Sequence, residues 1–557
     1  MKGEKFKPRA YEKAAIYIGS LSDDLGSIFE KGGIKALIEL PGVGKSIAEK
    51  LVEIIKTGKL GYHEELKRQV PVDVTTLSSI EGIGPKTVKV LYEKLGITTI
   101  EELEKAVRKK QLRTIPDFGE KSEQKILNGI EFFKKSHGGR FILGLILGTL
   151  EDILHRLKSL DTVKSIQLAG SARRMKDSIA DADFLASSNE PDKVMDFFTS
   201  MAEVTYIHTK GSTKSMVRLG SGIDCDLRIV PQESFGAALQ YFTGNKQHNV
   251  ALRTIALHKG YKLNEYGVYD KKNRQVAGRT EESVYSKLGL KWIPPELREN
   301  KGEIEAARDD RLPKLVSYND LKGDLQVHTN WTDGNNTIIE MAEAARRTGL
   351  EYVAITDHSR TLGIARGLNK QKLEEQKKEI ENVNQKMRHN ERITILSGVE
   401  VNILKDGSLD LENSILKEFD IVGAAIHSHF SLSKEEQTKR LITAMYNPHV
   451  DILFHPTCRI IQERPPLDID FDKLIGVSKE TNTILEIDSS PERLDLQDEY
   501  IKLAVDNGCT LIIDSDAHDK SHFHFLKFGV SQARRGWAER KDIVNTLPLD
   551  KFLKSLK

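Results

Sequence analysis

The chain's 557 residues, 39% hydrophobic and 30% charged with a formal charge of +2, exclude a single-core domain and a disordered or collagen-like polymer; at about 150 residues per domain, three or four domains are expected. Cys225, Cys458 and Cys509 are scattered and form no CxxC pair, which excludes a disulfide framework and points to a reducing compartment. The longest apolar stretch, Phe141 to Leu150, falls well short of the ~18 residues of a membrane span. The basic first ten residues lead into no secretory apolar core, so a cytoplasmic protein is expected.

Residues 1–140 carry 26 Lys and Arg against 20 Asp and Glu, a surplus too small to indicate nucleic acid by itself. A recurring turn is more informative: Leu40-Pro41-Gly42-Val43-Gly44-Lys45, Ile80-Glu81-Gly82-Ile83-Gly84-Pro85-Lys86, and Ile115-Pro116-Asp117-Phe118-Gly119-Glu120-Lys121. Each precedes a helical pattern, such as Ile47, Leu51 and Ile54, or Val88, Leu91 and Leu95. A single Gly-x-Gly more often merely caps a helix. Three in order form a helix-hairpin-helix pattern, in which backbone N–H groups at a helix N-terminus suit a DNA phosphate. Gly42, Gly44, Lys45, Gly82, Gly84 and Lys86 are the candidate DNA contacts; the third turn is degenerate, because Asp117 would repel phosphate.

In the middle third, the apolar run Ile166 to Ala169 ends in Gly170-Ser171-Ala172-Arg173-Arg174-Met175, and Asp181-Ala182-Asp183 and Asp224-Cys225-Asp226 follow. Asp-x-Asp alone is ordinary turn chemistry. Here its neighbours are apolar, and a strand's period of two points both carboxylates to one side, where Asp226 from a neighbouring strand would complete a cage for two divalent cations about 3.5–4 Å apart. Gly170 and Ser171 let backbone N–H groups approach a phosphate, with Arg173 and Arg174 supplying charge. Together these residues resemble the nucleotidyltransferase signature of family X DNA polymerases. The resemblance implies that Gly170, Ser171 and Arg174 hold a triphosphate and that Asp181, Asp183 and Asp226 are catalytic and hold Mg²⁺ or Mn²⁺. Met175 departs from it, standing where many members have glycine.

The resemblance extends to both sides. Gly42 to Lys50 is similar to the family's small 5′-end-binding domain, where Lys50 matches a Schiff-base lysine of members with lyase activity; a lysine on a solvated helix face is the competing reading. Downstream, Tyr241-Phe242-Thr243-Gly244 reads as a turn with two aromatic faces. It matches the nucleotide-selection segment, which implies that Tyr241, Phe242 and Gly244 border the incoming sugar, that Asn249 reaches the base edge, and that Arg253 approaches the template.

From Leu321 onward apolar strands alternate with helical stretches, and strand after strand ends in His, Glu or Asp. In a β/α barrel those ends converge on one face, and imidazole with carboxylate suits Zn²⁺, Mn²⁺ or Fe²⁺. One such histidine is more often structural; the repetition reverses that reading. The set resembles the PHP (polymerase and histidinol phosphatase) domain, which implies His328, Asp333, His358, Glu400, His427, His455, Asp516 and His518 as ligands, with Asp357 and His429 nearby. Gln326 stands where the general motif begins with histidine.

The order of units resembles the bacterial and archaeal family X polymerases that carry a C-terminal PHP domain. The expected fold is multidomain: α-helical helix-hairpin-helix regions, an α+β nucleotidyltransferase palm, and an α/β PHP distorted (β/α) barrel. The expected boundaries are 1–70 for the 5′-end domain, 71–140 for duplex binding, 141–230 for the palm, 231–300 for nucleotide selection, 301–320 for a linker and 321–557 for PHP. The implied function is gap-filling DNA synthesis in repair with 3′–5′ exonuclease or 3′-end phosphoesterase activity, and AP-endonuclease, 3′-phosphatase and lyase activities as further expectations. The implied partners are gapped or nicked DNA and dNTPs, met by a monomer at the nucleoid with no membrane. The rival readings are a PHP phosphatase or nuclease with a relic nucleotidyltransferase, and a non-catalytic gap-binding scaffold.

Overall fold

The computed structural model describes residues 25–40, 43–57, 60–61, 83–115, 118–135, 139–360, 366–387 and 393–557, with the single residues 11, 72 and 77. The amino-terminal part contains helices α1 (Leu25–Ile38), α2 (Lys45–Thr57), α3 (Pro85–Leu95), α4 (Ile100–Arg108) and α5 (Glu120–Lys135). Leu37, Val43 and Ala48 bury one small core, and Val88, Leu91, Leu103, Val107 and Ile126 belong to a second. Local chemistry sets the ends: α3 stops at Gly96, whose φ of 68° closes a left-handed cap, and α4 starts with a capping box between Thr99 and Glu102.

The next unit is a mixed sheet of β1 (Val163–Leu168), β2 (Asp181–Ser188), β3 (Val204–Lys210), β4 (Lys214–Leu219) and β5 (Asp224–Ile229), in the order β1-β2-β5-β4-β3. Its apolar face lies on helix α6 (Leu143–Lys158), with Leu150, Ala182, Phe184, Cys225 and Leu227 in one core. Leu494 and Phe528 from the carboxyl-terminal unit complete that core. Gly144 on α6 packs so closely that a Cβ there would collide with Pro491. The two units therefore share a hydrophobic interior.

Helix α7 (Phe235–Thr243), helices Lys246–His258 and Glu281–Lys287, and a three-stranded antiparallel sheet form the third unit. Tyr241 and Phe242, expected in a turn, lie in the last turn of α7, which ends at Gly244 with φ 68°. Segment 301–320 contains helix Glu303–Arg308, whose buried Glu303 pairs with His248 at 2.6 Å.

The carboxyl-terminal unit carries β6 (Gly323–Val327), β7 (Tyr352–Ile355), β8 (Thr394–Asn402), β9 (Ile421–Ala425), β10 (Ile452–Leu453), β11 (Ile484–Asp488) and β12 (Leu511–Asp514), hydrogen-bonded in sequence order. Every neighbouring pair is parallel, the topology that α-helical crossovers impose. Where β6 meets β12, the His328 N–H donates to the Ala517 carbonyl at 2.8 Å and the Leu325 N–H to Asp514 Oδ1 at 2.7 Å. These bonds draw the sheet into a distorted barrel.

Candidate active sites

The first site sits on the open face of the mixed sheet. Parallel pairing sets Asp181 beside Asp224 and Asp183 beside Asp226, so strand alternation sends the carboxylates of 181, 183 and 226 to one face. Burial and the neighbouring charges of Asp181 and Asp226 push Asp183 up to about 7, and burial with Asp226 also pushes Asp181 up. Such repulsion is what a divalent cation relieves. Lys214 Nζ holds Asp226 Oδ2 at 2.8 Å, while Oδ1 is buried without a hydrogen-bond partner. The residues fit divalent cations in charge and chemistry, although their carboxylate oxygens do not gather as closely as the ligand atoms of the carboxyl-terminal barrel.

The glycine loop enters this face closely. Gly170 has φ 60°, which favours glycine, and a Cβ there would collide with Asp183 Oδ2 and push that carboxylate aside. Met175 adopts φ 52°; the left-handed turn is made here by methionine, with the strain a side chain brings. Arg173 and Arg174 reach the end of α7: Arg173 Nη1 donates to Thr243 Oγ1 at 2.7 Å and Arg174 Nη1 to the Thr243 carbonyl at 2.5 Å. Glu281 is gripped from both sides, by Arg173 at 2.7 and 2.8 Å and by the buried Arg298 at 2.6 and 3.0 Å. Burial alone would raise the Glu281 carboxyl, but the two guanidinia hold it well below the usual range. This Arg-Glu-Arg cluster welds the glycine loop to the third unit, and nothing in the local sequence announced it.

Of the remaining candidates, the Tyr241 and Phe242 rings meet edge to face at 5.2 Å, and Arg228 lies over Phe242 at 4.5 Å. Asn249 donates to the Tyr241 carbonyl and accepts from Gln240, each at 2.7 Å, which fixes its amide against α7. Arg253 Nε is buried without a partner.

In the amino-terminal part, Gly44 and Gly84 are exposed and lead into α2 and α3, with open space where a Cβ would stand. Lys45 is exposed beside the first turn, and Lys50 Nζ donates to Ser46 Oγ at 3.0 Å. Gly42, Gly82 and the Lys86 side chain lie outside the described residues. At the third turn Arg113 pairs with Glu123 at 2.8 Å and Glu120 at 3.1 Å, so carboxylates crowd the first turn of α5.

The second site lies at the carboxyl ends of the barrel strands and gathers all eight expected ligands. Ligand atoms of His328, Asp333, His358 and His518 come within 4.8 Å of one another, as do those of His358, Glu400 and His427. His455 Nε2 stands 3.0 Å from Glu400 Oε1, and Asp516 Oδ1 stands 3.3 Å from His328 Nε2. The chemistry fits metal ions: both ring nitrogens of fully buried His328, and Glu400 Oε2, lack hydrogen-bond partners. Burial lowers the His358 imidazole, but Glu400 and Asp333 outweigh it and carry it up to about 11. Asn402 Oδ1 accepts from His427 Nδ1 at 2.7 Å, which leaves Nε2 facing the site.

Three neighbours have other duties. Asp357 accepts from the Thr329 N–H at 2.8 Å and from Gln376 at 2.5 Å, so it braces the loop after β6. His429 contributes its carbonyl to Gln437. Gln326 turns its amide to donate to Glu486 at 2.5 and 3.2 Å, a buried carboxylate that the sequence reading did not single out.

Comparison with known proteins identifies the family of the chain. Models for a DNA polymerase beta thumb (residues 238–299), a SAM-like helix-hairpin-helix tandem (74–131), a helix-hairpin-helix domain (1–60) and a PHP domain (324–487) match the chain. It is 37% identical over 561 residues to DNA polymerase/3′-5′ exonuclease PolX of Bacillus subtilis, covering 100% of this chain and 96% of that protein. DNA polymerase lambda of Arabidopsis thaliana is 25% identical over 336 residues, 53% of this chain and 58% of the relative. A probable phosphatase of Thermoanaerobacter sp. (strain X514) is 33% identical over 208 residues, 35% of this chain and 78% of the relative. With an aspartate-bearing sheet and a histidine-rich barrel in one full-length match, the chain belongs to PolX, the family X DNA polymerases with a carboxyl-terminal PHP domain.

Proposed function

We propose that the protein fills short gaps in DNA during repair, extending a primer at the Asp181, Asp183 and Asp226 centre and trimming the 3′ end at the PHP centre. It is a DNA-directed DNA polymerase and 3′–5′ exonuclease that depends on divalent metal ions. The observation that carries the synthetic half is the register of Asp183 against Asp226, which sets three carboxylates on one open face. Mg²⁺ or Mn²⁺ is the proposed ion for that face, and Zn²⁺, Mn²⁺ or Fe²⁺ for the barrel.

Each residue then has a task. Gly170 and Ser171 present backbone N–H groups to the triphosphate, and Arg174 supplies a fixed cation. Asp226 Oδ1, unpartnered while Lys214 holds Oδ2, is the proposed acceptor of the primer 3′-hydroxyl proton as that oxygen bonds to the α-phosphate and the α–β phosphoanhydride bond breaks to release pyrophosphate. When bound, the cations supply activation of the attacking oxygen and neutralisation of charge on the phosphates. Tyr241 and Phe242 border the sugar, Asn249 the base edge and Arg253 the template. In the barrel, Glu400 and the imidazoles around it hold the hydrolytic ions, and Asn402 orients His427.

Gly44, Lys45 and Gly84 bind the DNA backbone without reading sequence, the first turn at the downstream 5′ end and the second on the duplex. Lys50 is the proposed lyase nucleophile, and Ser46 Oγ is the atom that would orient its amine. We place the protein as a monomer at the nucleoid; among the described residues no helix is long and apolar enough to cross a membrane. Incubating a labelled one-nucleotide gap with each dNTP and Mg²⁺ or Mn²⁺ tests this reading. Template-directed extension by one residue, with shortening when dNTP is withheld, is expected; turnover-free binding would support a scaffold instead.

A further inference from the structure

The helix α8 (Leu526–Arg535) of the PHP barrel ends in an arginine whose guanidinium lies against the polymerase centre. The Arg535 side chain is only 2% exposed. Its Nη1 donates to the Arg174 carbonyl at 2.8 Å and to Glu299 Oε1 at 3.2 Å, and its Nη2 pairs with Asp498. Glu299 Oε1 also accepts from Arg174 Nε at 3.0 Å, and Oε2 accepts from Asn245 Nδ2 at 2.9 Å, just beyond Gly244. Lys176 Nζ stands 3.7 Å from the same carboxylate. One arginine of the exonuclease barrel thus fixes both the main chain of Arg174 and the carboxylate that orients its side chain.

The energetics favour a fixed arrangement. Burial would raise the Glu299 carboxyl, but Arg535 first and then Arg174 hold it below its ordinary value, so it stays ionised. Taking Arg535 away would strip Asp498 of its guanidinium partner and leave Glu299 to the charges of Arg174 and Lys176 alone in a largely buried contact, and such a contact rearranges when a partner is lost. Arg174 is the group that would shift, since its carbonyl loses a donor and the carboxylate holding its Nε is no longer fixed, which leaves the Nη1 bond to the Thr243 carbonyl as its remaining side-chain tie. The shared core around Leu494 and Phe528 keeps the barrel in place to do this.

We infer that Arg535 is a positioning residue of the polymerase centre: the PHP barrel presets Arg174 for the incoming triphosphate, so nucleotide affinity depends on a residue of the hydrolytic domain. This rests on the reading that Arg174 holds the triphosphate. A positioning group acts on nucleotide binding more than on chemistry, and misplacing it should cost on the order of tenfold, below the ~100-fold of a misplaced reacting group.

Single-nucleotide gap filling by the full chain tests it with Arg535→Ala, Arg174→Ala and the double variant. Arg535→Ala is expected to raise KM for dNTP about tenfold with kcat changed far less, to leave exonuclease kcat/KM on single-stranded DNA at the parental value, and to add little in the Arg174→Ala background. If Arg174→Ala raises KM and Arg535→Ala does not, the inference is overturned while the reading of Arg174 stands. If Arg174→Ala leaves KM unchanged, both fall. A proportionate loss of polymerisation and exonuclease activity in Arg535→Ala would show a merely structural role and overturn the inference. Should that variant fail to fold, Arg535→Lys keeps the charge without the forked contacts; a folded Arg535→Lys chain with parental KM overturns the inference equally, and a raised KM supports it.

Discussion

Gly170→Ala separates the polymerase centre from everything around it. The added methyl would lie far inside the 3.0 Å that Cβ atoms essentially never breach, against Asp183 Oδ2, at a backbone φ of 60°. The carboxylate or the loop must then give by about 1 Å, and a displacement of that size at a reacting group costs about 100-fold in rate. The left-handed conformation adds about 1–2 kcal/mol of strain, a modest loss for a chain of this size. Single-turnover gap filling should therefore fall about 100-fold or more, while urea unfolding moves slightly and exonuclease activity on single-stranded DNA is unchanged. A Gly170→Ala chain that extends primers within tenfold of the parent would refute the claim that Asp183 is held against this loop.

Other outcomes follow from buried charge. Glu281→Gln should destabilise the chain by about 3–5 kcal/mol in urea unfolding, because it strips the shared carboxylate from Arg173 and Arg298. The parental carboxyl sits below its unfolded value, so its stabilising contribution is complete above the ordinary Glu range and is lost only as pH falls well beneath it. His248 is the opposite case. Burial lowers its imidazole despite Glu303, so it stays neutral, with Nδ1 toward Glu303 at 2.6 Å and Nε2 toward the Tyr285 hydroxyl at 2.9 Å. As pH drops through 6.5 the unfolded chain takes a proton that the fold refuses, and the urea midpoint should fall between pH 7 and pH 5.5. His248→Gln should flatten that fall; an undiminished slope would contradict the assignment. Gln326→His should lower the Mn²⁺ concentration for half-maximal exonuclease activity about tenfold by replacing a poor donor with imidazole. An unaltered metal requirement would show that position 326 serves only Glu486.

The chemistry of both sites was legible where one strand's periodicity or one strand's end carried it. Asp181-Ala182-Asp183 implies a shared face because alternate residues point the same way, and the histidines of β6, β7, β9 and β10 converge because parallel barrel strands end together. What escaped the sequence depends on pairs far apart in the chain. Arg173 meets Glu281 across 108 positions, and Arg535 meets Arg174 across 361. No periodicity links such partners, and arginine and glutamate are ordinarily surface residues. Tyr241-Phe242-Thr243-Gly244, expected as a turn, instead forms the last turn of α7, which Gly244 ends at a positive φ; a glycine that stops a helix and one that makes a turn look alike in the sequence. Met175 shows the converse limit: only the resemblance, with glycine at that position in many members, pointed to its left-handed conformation, and methionine itself does not.

The central claim is that one chain carries two independent metal centres acting on a DNA 3′ end. The direct measurement uses a labelled one-nucleotide gap, with and without dNTP, and compares Asp183→Asn with His328→Ala. The account predicts that Asp183→Asn shortens the primer and cannot extend it, and that His328→Ala extends it and cannot shorten it. Loss of both activities in either correctly folded variant would contradict two separate centres.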